Sequence, residues 1–336
     1  MNDLLQKLLI LRMPGIGPVK YASLLKQYGS DYAIIESLNL RCDFIDSVKR
    51  EIDTAEKLGI KYIMDTDSYY PRGLLNVKNH PIVISARGNI ETLTKKSVSI
   101  VGTRHSTAAG MNFVSDLSSA FARHGFVVTS GMAMGTDTAA HIGALKADGN
   151  TQTIAVLAGG VDYIWPLENE SLYYEIIERG VLISEMPVGT SPVASNFVQR
   201  NRWVAAVSDS LIISEADMKS GSMTTVRFAN EYKKRIFAVP GHPSDARSMG
   251  PNSLIKSGVA TLCMSVKDFF DDDNTQNNKK NNTYKNDILD KLGMIPVSES
   301  VLANLVKKSV SEIKSDLIVL ELQGLIRKQD GGYVLN

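Results

Sequence analysis

Between Ser97 and about residue 270 the chain repeats one pattern, a short apolar run, a turn of small or polar residues, and a stretch of helical periodicity. The runs fall at residues 98–102, 126–130, 154–158, 181–185, 211–215 and 235–239, and the helical stretches between them include 107–124 and 139–147. Five-residue apolar runs are too short for buried helices, and their alternation with helical segments predicts parallel strands covered on both faces. This is an α/β sheet, and ligands of such sheets bind beyond the carboxyl ends of the strands.

The turns at those ends are rich in Gly, Ser, Thr and Arg. They read Gly102-Thr103-Arg104, Ser130-Gly131-Met132-Ala133-Met134-Gly135, Ala158-Gly159-Gly160, Glu215-Ala216-Asp217-Met218-Lys219-Ser220-Gly221-Ser222 and Val239-Pro240-Gly241-His242. Where Ser220-Gly221-Ser222 opens a helix, the unpaired first-turn amides, the hydroxyls and the helix dipole all favour an anion. A serine there is equally at home as a plain N-cap. The segment Phe197-Val198-Gln199-Arg200-Asn201-Arg202-Trp203 adds two fixed cations, two amides and two rings, the combination that single-stranded nucleic acid requires for its backbone and bases. The competing reading makes Phe197 and Trp203 core residues and the arginines ion-pair partners; it is preferred for Trp203 and left open for Phe197.

The flanks differ in character. Residues 2–38 read as short helices broken by Met13-Pro14-Gly15-Ile16-Gly17-Pro18, with Leu8, Leu9, Leu11, Tyr21, Leu24 and Leu25 facing one another across the turn. This is a helix-hairpin-helix or SAM-like pattern, or equally a plain helical hairpin with no ligand. Residues 43–92 read as a helix, an irregular connector and a strand at 82–85. Residues 271–284 are almost free of apolar side chains and read as a linker. Beyond it three helices, at 287–292, 301–305 and 309–326, and a hairpin at 327–335 describe a winged helix. The expected division is 1–60 helical domain, 61–92 connector packing on the core, 93–270 α/β domain, 271–284 linker and 285–336 winged helix.

The formal net charge of +1 argues against coating nucleic acid by charge alone, so any phosphate site is local. The last 52 residues carry seven Lys and Arg against seven Asp and Glu, and the helix placed to recognise DNA carries Glu312, Asp316 and Glu321. The tail is therefore expected to contact protein, although Lys307, Lys308 and Lys314 can form a local basic face. Cys42 and Cys263 lie far apart and read as reduced thiols. Asn2 and Asp3 are the opposite of a basic leader and no apolar run approaches a span, so a soluble cytoplasmic protein is expected, with no membrane contact.

Enzyme signatures are weak. The first turn lacks the later glycines of a dinucleotide fingerprint, no phosphate-loop lysine motif occurs, and the histidines have no metal-ligand spacing. His141, a turn from Asp137, reads as structural. A nucleotide-cleaving enzyme stays open as the alternative, with Glu185 or Glu215 as the candidate acid; a purely adaptor role is a third possibility.

Taken together, Ser99-Ile100-Val101-Gly102-Thr103-Arg104, Ser130 through His141, Thr153 through Gly160, Arg200-Asn201-Arg202, Glu215-Ala216, Ser220-Gly221-Ser222, Ala238-Val239-Pro240-Gly241 and Asn252-Ser253-Leu254-Ile255 resemble the DprA family of DNA-processing proteins, also called Smf. The resemblance spans about residues 97–265 in order. Trp165 stands where the family usually has Tyr, and Val198 where it often has Pro. The resemblance implies an extended Rossmann-like domain that binds single-stranded DNA, pairs into a homodimer, and helps load the RecA recombinase during natural transformation, with no catalytic residue, cofactor or metal. It implies a phosphate pocket of Gly102, Thr103, Arg104, Ser130, Gly131, Lys219, Ser220, Gly221 and Ser222, with Phe197, Arg200, Asn201 and Arg202 as the neighbouring strand-holding segment.

Overall fold

The computed structural model describes residues 2–147, 152–271, 288–293, 295–322 and 324–336. Two compact units meet at residue 271 along the chain.

The first unit opens with helices α1 (Asp3–Leu11), α2 (Pro18–Tyr28), α3 (Asp31–Leu38) and α4 (Cys42–Lys57). Asn2 and Ser30 cap α1 and α3 through their side-chain oxygens, and Pro18 sits at the first turn of α2, where its missing N–H costs nothing. Their core is Leu8, Leu9, Ile10, Tyr21, Leu24, Ile34 and Val48. Two expected contacts differ. Ile10 takes the fully buried place expected of Leu11, and Leu25 points outward at 38 % exposure, because the α2 face toward the core is set by Tyr21 and Leu24.

The segment read as a connector contributes strands β1 (Ile60–Met64) and β2 (Val83–Gly88) around the short helix α5 (Arg72–Leu75). The remaining elements are β3 (Ser97–Val101), α6 (Ala108–Arg123), β4 (Val127–Ser130), α7 (Thr136–Lys146), β5 (Thr153–Val156), α8 (Glu170–Arg179), β6 (Val181–Ser184), α9 (Ala194–Val207), β7 (Ser210–Ile213), α10 (Gly221–Glu231), β8 (Arg235–Ala238), α11 (Met249–Lys256) and β9 (Thr261–Leu262). They build a nine-stranded sheet ordered β1-β2-β6-β5-β4-β3-β7-β8-β9. All pairings from β6 to β9 are parallel, and β2 joins β6 antiparallel. The expected α/β sheet with helices on both faces is present, with an antiparallel edge that periodicity did not reveal.

Side-chain alternation along β3 assigns the two faces. Val98 and Ile100 pack under α6 and α7 with Val114, Leu117, Phe121 and Ala140, while Val101 joins Trp203 and Val204 of α9 and Val226 of α10 on the opposite face. The chain lays β4, β5 and β6 down on one side of β3, then returns to place β7 on the other. The carboxyl ends of β3 and β7 therefore form the switch point where a crevice opens.

Cys42 is exposed and Cys263 is buried. Burial, and then the nearby Asp268 carboxylate, push the Cys263 thiol up to about 12. Iodoacetamide at pH 8 should therefore alkylate one thiol of the native protein quickly, the peptide being that of Cys42, and the second only in denaturant. Comparable native rates at both would show that the packing around Phe237, Phe269 and Cys263 is open.

The second unit contains a 3₁₀ turn at Leu289–Lys291, α12 (Glu299–Val306), α13 (Val310–Leu322) and an antiparallel hairpin of β10 (Ile326–Gln329) and β11 (Gly332–Leu335). Its core is Ile288, Leu292, Leu302, Ile313, Leu317, Leu320, Ile326 and Tyr333. The arrangement fits a winged helix loosely: the first expected helix is a single 3₁₀ turn in its described part, and α13 stops short of 326, where Gly324 adopts a positive φ of 71°. Lys308 lies 2.8 Å from Asp316 and Lys314 lies 3.6 Å from Glu299, so two of the three lysines of the possible basic face are neutralised. The linker expected at 271–284 lies, beyond Asp271, outside the described residues. Among the described residues no helix is long and apolar enough to cross a membrane.

Candidate nucleic-acid interface

The switch point opens into a cavity of about 360 Å³. Its walls come from five places in the sequence: the turn after β3, the turn after β4, the first turn of α7, one face of α9, and the first turn of α10.

After β3 the chain turns through Gly102-Thr103-Arg104, held by Thr103 N–H donating to the Glu215 carbonyl at 2.6 Å and by Thr136 N–H donating to the Thr103 carbonyl at 3.2 Å. The turn after β4 brings Gly131 beneath the Arg200 guanidinium. A Cβ added at Gly131 would fall 1.2 Å from Arg200 Nη1, so only glycine lets the arginine sit there. At the start of α10 the Ser220 Oγ accepts from Ser222 N–H at 3.4 Å, and Asn201 Nδ2 donates to the Gly221 carbonyl at 3.3 Å, tying α9 to that helix terminus. The first-turn amides and dipole of α10 polarise this wall toward an anion.

Two guanidinium groups bracket the cavity. Arg104 is exposed at the rim, its Cζ 5.1 Å from the Trp165 ring centre and 5.4 Å from that of Phe197, and these two rings pack at 4.5 Å. Arg200, 5 % exposed, forms the floor, with Nη1 3.8 Å from Asp137 Oδ2 and Nε without a hydrogen-bond partner among the described residues. Burial lowers the Arg200 pKa, the Asp137 carboxylate opposes that, and Arg104 lowers it further. Burial pushes the Asp137 carboxyl above its ordinary range, against the pull of Arg200. A buried cation this sparsely bonded is a strong hydrogen-bond donor for a ligand anion.

Of the expected residues, Gly102, Thr103, Arg104, Gly131, Phe197, Arg200, Asn201, Ser220, Gly221 and Ser222 line this one cavity. Three do not. Ser130 is fully buried, donates to the Ile100 carbonyl at 2.6 Å and lies against the Asp137 carboxyl, so it stands behind the lining. Lys219 is exposed and does not reach the lining. Arg202 follows Arg200 by two positions, about 200° round the helix, and lies over the Trp203 ring at 3.9 Å with Glu185 at 3.8 Å. Trp203 is core, as expected, and Phe197 is half-buried at the wall. Asp137, Thr224 and Thr225 also line the cavity and were not among the expected site residues. The two threonines share a helix face with Gly221, a spacing of three and four that was available in the sequence.

Neither candidate glutamate reaches this lining. Glu215 faces α6, where it accepts from Thr107 N–H at 2.7 Å and Thr107 Oγ1 at 2.5 Å and so holds that helix's N-cap residue in place. Glu185 sits with Arg202 and Trp203. His141 is a core residue: Thr153 Oγ1 gives its proton to the Val128 carbonyl, so His141 Nδ1 is the donor in their 2.7 Å bond, and burial pushes the imidazole down to about 3.

Residues 61–274 match the model of the family described as DNA recombination-mediator protein A. The DNA processing protein DprA of Bacillus subtilis is 35 % identical over 230 residues, covering 68 % of this chain and 76 % of that protein. Protein Smf of Escherichia coli is 31 % identical over 292 residues, 81 % of this chain and 77 % of its own length. DNA processing protein A of Streptococcus pneumoniae superposes with a TM-score of 0.68 at 29 % identity, covering 80 % of this chain and 98 % of that structure. DNA processing protein A of Helicobacter pylori, described for its single-stranded DNA binding mode, gives a TM-score of 0.58 at 30 % identity over 65 % of this chain and 96 % of that one.

Proposed function

The chain belongs to the DNA recombination-mediator protein A family, and from that premise we propose that it is a single-stranded DNA-binding protein that grips the phosphate chain at the β3–β7 crevice. The observation that carries this reading is the convergence of Arg104, Arg200 and the α10 N-terminus on one cavity whose only lining carboxylate, among the described residues, is Asp137. Fixed cations and amides hold the backbone without reading sequence, and the Trp165–Phe197 pair offers a stacking surface beside them. A cavity of about 360 Å³ takes a single nucleotide chain and excludes a duplex, whose bases stay stacked inside. In its host the protein would protect incoming single strands and help load the RecA recombinase on them in natural transformation, as a cytoplasmic homodimer that makes and breaks no covalent bond. The family's description as recombination mediators supports the loading role. Ion-paired Lys308 and Lys314 support a protein partner for the second unit.

Titrating labelled oligothymidine, with a duplex of equal length as control, tests the reading. Oligothymidine should bind at least tenfold more tightly, and log K should fall with log salt at about 0.7 per phosphate neutralised, hence about 1.4 or more for two guanidinium groups. Equal affinity for duplex, or a salt-independent affinity, removes it.

A further inference from the structure

We propose that Asp137 is a specificity-determining residue that holds down the affinity of the cavity for dianionic phosphate, so that free nucleotides and terminal phosphomonoesters do not occupy it in place of a DNA strand. The inference rests on the proposed function, since it concerns which phosphates that site prefers.

Without a carboxylate this cavity would be a nucleotide trap. A helix N-terminus, a rim arginine and a buried arginine surround a volume of about 360 Å³, which is room for a mononucleotide. A phosphomonoester carries nearly two charges at neutral pH, its second pKa being about 6, whereas each phosphate inside a DNA chain carries one. Two guanidinium groups alone therefore favour the free nucleotide over the strand. Asp137 opposes that preference from the floor. Its carboxylate is fixed by the Ala133 N–H at 3.3 Å and stands 3.8 Å from Arg200 Nη1, so it cannot swing away when a ligand enters. The groups that face it are Arg200 from α9, the Ser130 hydroxyl at the end of β4, and the Gly131 and Ala133 amides; Arg104 and the buried, neutral His141 act on Arg200 instead. With Asp137 ionised the three formal charges of the lining sum to one positive instead of two. Hydrogen bonds from amides and hydroxyls serve monoanion and dianion alike, but repulsion from Asp137 doubles for the dianion. At about 8 Å and an effective dielectric near 20, each extra unit of charge is disfavoured about thirtyfold.

The test displaces labelled oligothymidine from the full-length protein, at constant ionic strength and pH 7.5, with thymidine 5′-monophosphate or with its monoanionic methyl ester. In the native protein the two competitors should be within a few-fold of each other. In Asp137→Asn the monophosphate should gain at least tenfold over the ester, and oligothymidine should itself bind more tightly, by a smaller factor than the monophosphate gains. Should that variant lose its melting transition, Asp137→Ser, which leaves the loop amides to water, takes its place. A native protein that already prefers the monophosphate tenfold overturns the proposal, as does an unchanged ratio in the variant, or failure of millimolar monophosphate to displace the strand from the variant. If the native protein does not bind oligothymidine at all, it is the DNA-binding reading that fails; binding with an unmoved ratio sinks the role of Asp137 alone.

Discussion

Arg200→Ala should lower the unfolding midpoint of the first unit by about ten degrees and abolish measurable oligothymidine binding. The guanidinium is 5 % exposed and seated on Gly131, and its departure leaves the Asp137 carboxylate buried with no counter-charge. Stranding one member of a buried pair costs about 3–5 kcal/mol, and for a unit of this size each kcal/mol moves the midpoint by about 2–4 °C. Stability and binding separate in the double variant Arg200→Met with Asp137→Asn, where no buried charge is left: most of the melting temperature should return, and the binding should not. Calorimetry on the three proteins, with a titration of each, decides the matter. An Arg200→Ala protein that melts like the native one would show that the 3.8 Å pair is not the electrostatic floor of the site.

Arg104→Ala should behave in the opposite way, leaving the melting temperature within a degree or two and weakening oligothymidine binding about thirtyfold. The side chain is exposed and packs only against the faces of Trp165 and Phe197, so the fold does not depend on it. A charge-assisted bond to phosphate contributes about 1.5–3 kcal/mol, and its loss should make the salt slope shallower by about 0.7. Arg104→Lys should fall between, since an ammonium keeps the charge but neither the fork nor the flat contact with the rings. Affinity within twofold of native, at low and high salt alike, would remove Arg104 from the strand's path.

The two arginines also mark how far sequence reading reached. Both were legible as candidates, because a Gly-Thr-Arg turn after a strand and an Arg-Asn-Arg run beside aromatic residues are local patterns. That one is a rim residue and the other a buried floor was not legible, since burial depends on which helix covers which strand. Arg202 makes the same point: beside Arg200 in sequence, it is carried by the helical repeat to Trp203 and Glu185. Ser130, expected to meet phosphate, closes β4 as the apolar run indicated, but its hydroxyl bonds the Ile100 carbonyl of the adjacent strand, a partner that only strand order supplies. Strand β1 escaped notice for a related reason, being a five-residue edge strand whose pairing with β2 is a long-range event with no local signature. Asp137 was visible only as one member of a motif; its place opposite Arg200 comes from α7 and α9, which cover opposite faces of the sheet, meeting at its carboxyl edge.

By itself the sequence determined the element types of the α/β unit, the order of its phosphate-seeking turns and the family they belong to, because periodicity and turn chemistry act over a few residues and survive in any arrangement. Only the tertiary structure decided which of those turns meet, which cation is buried, and which carboxylate stands behind it. Those are consequences of β7 returning to the far side of β3, and strand order is settled by packing over the whole sheet, which no short stretch of chain records.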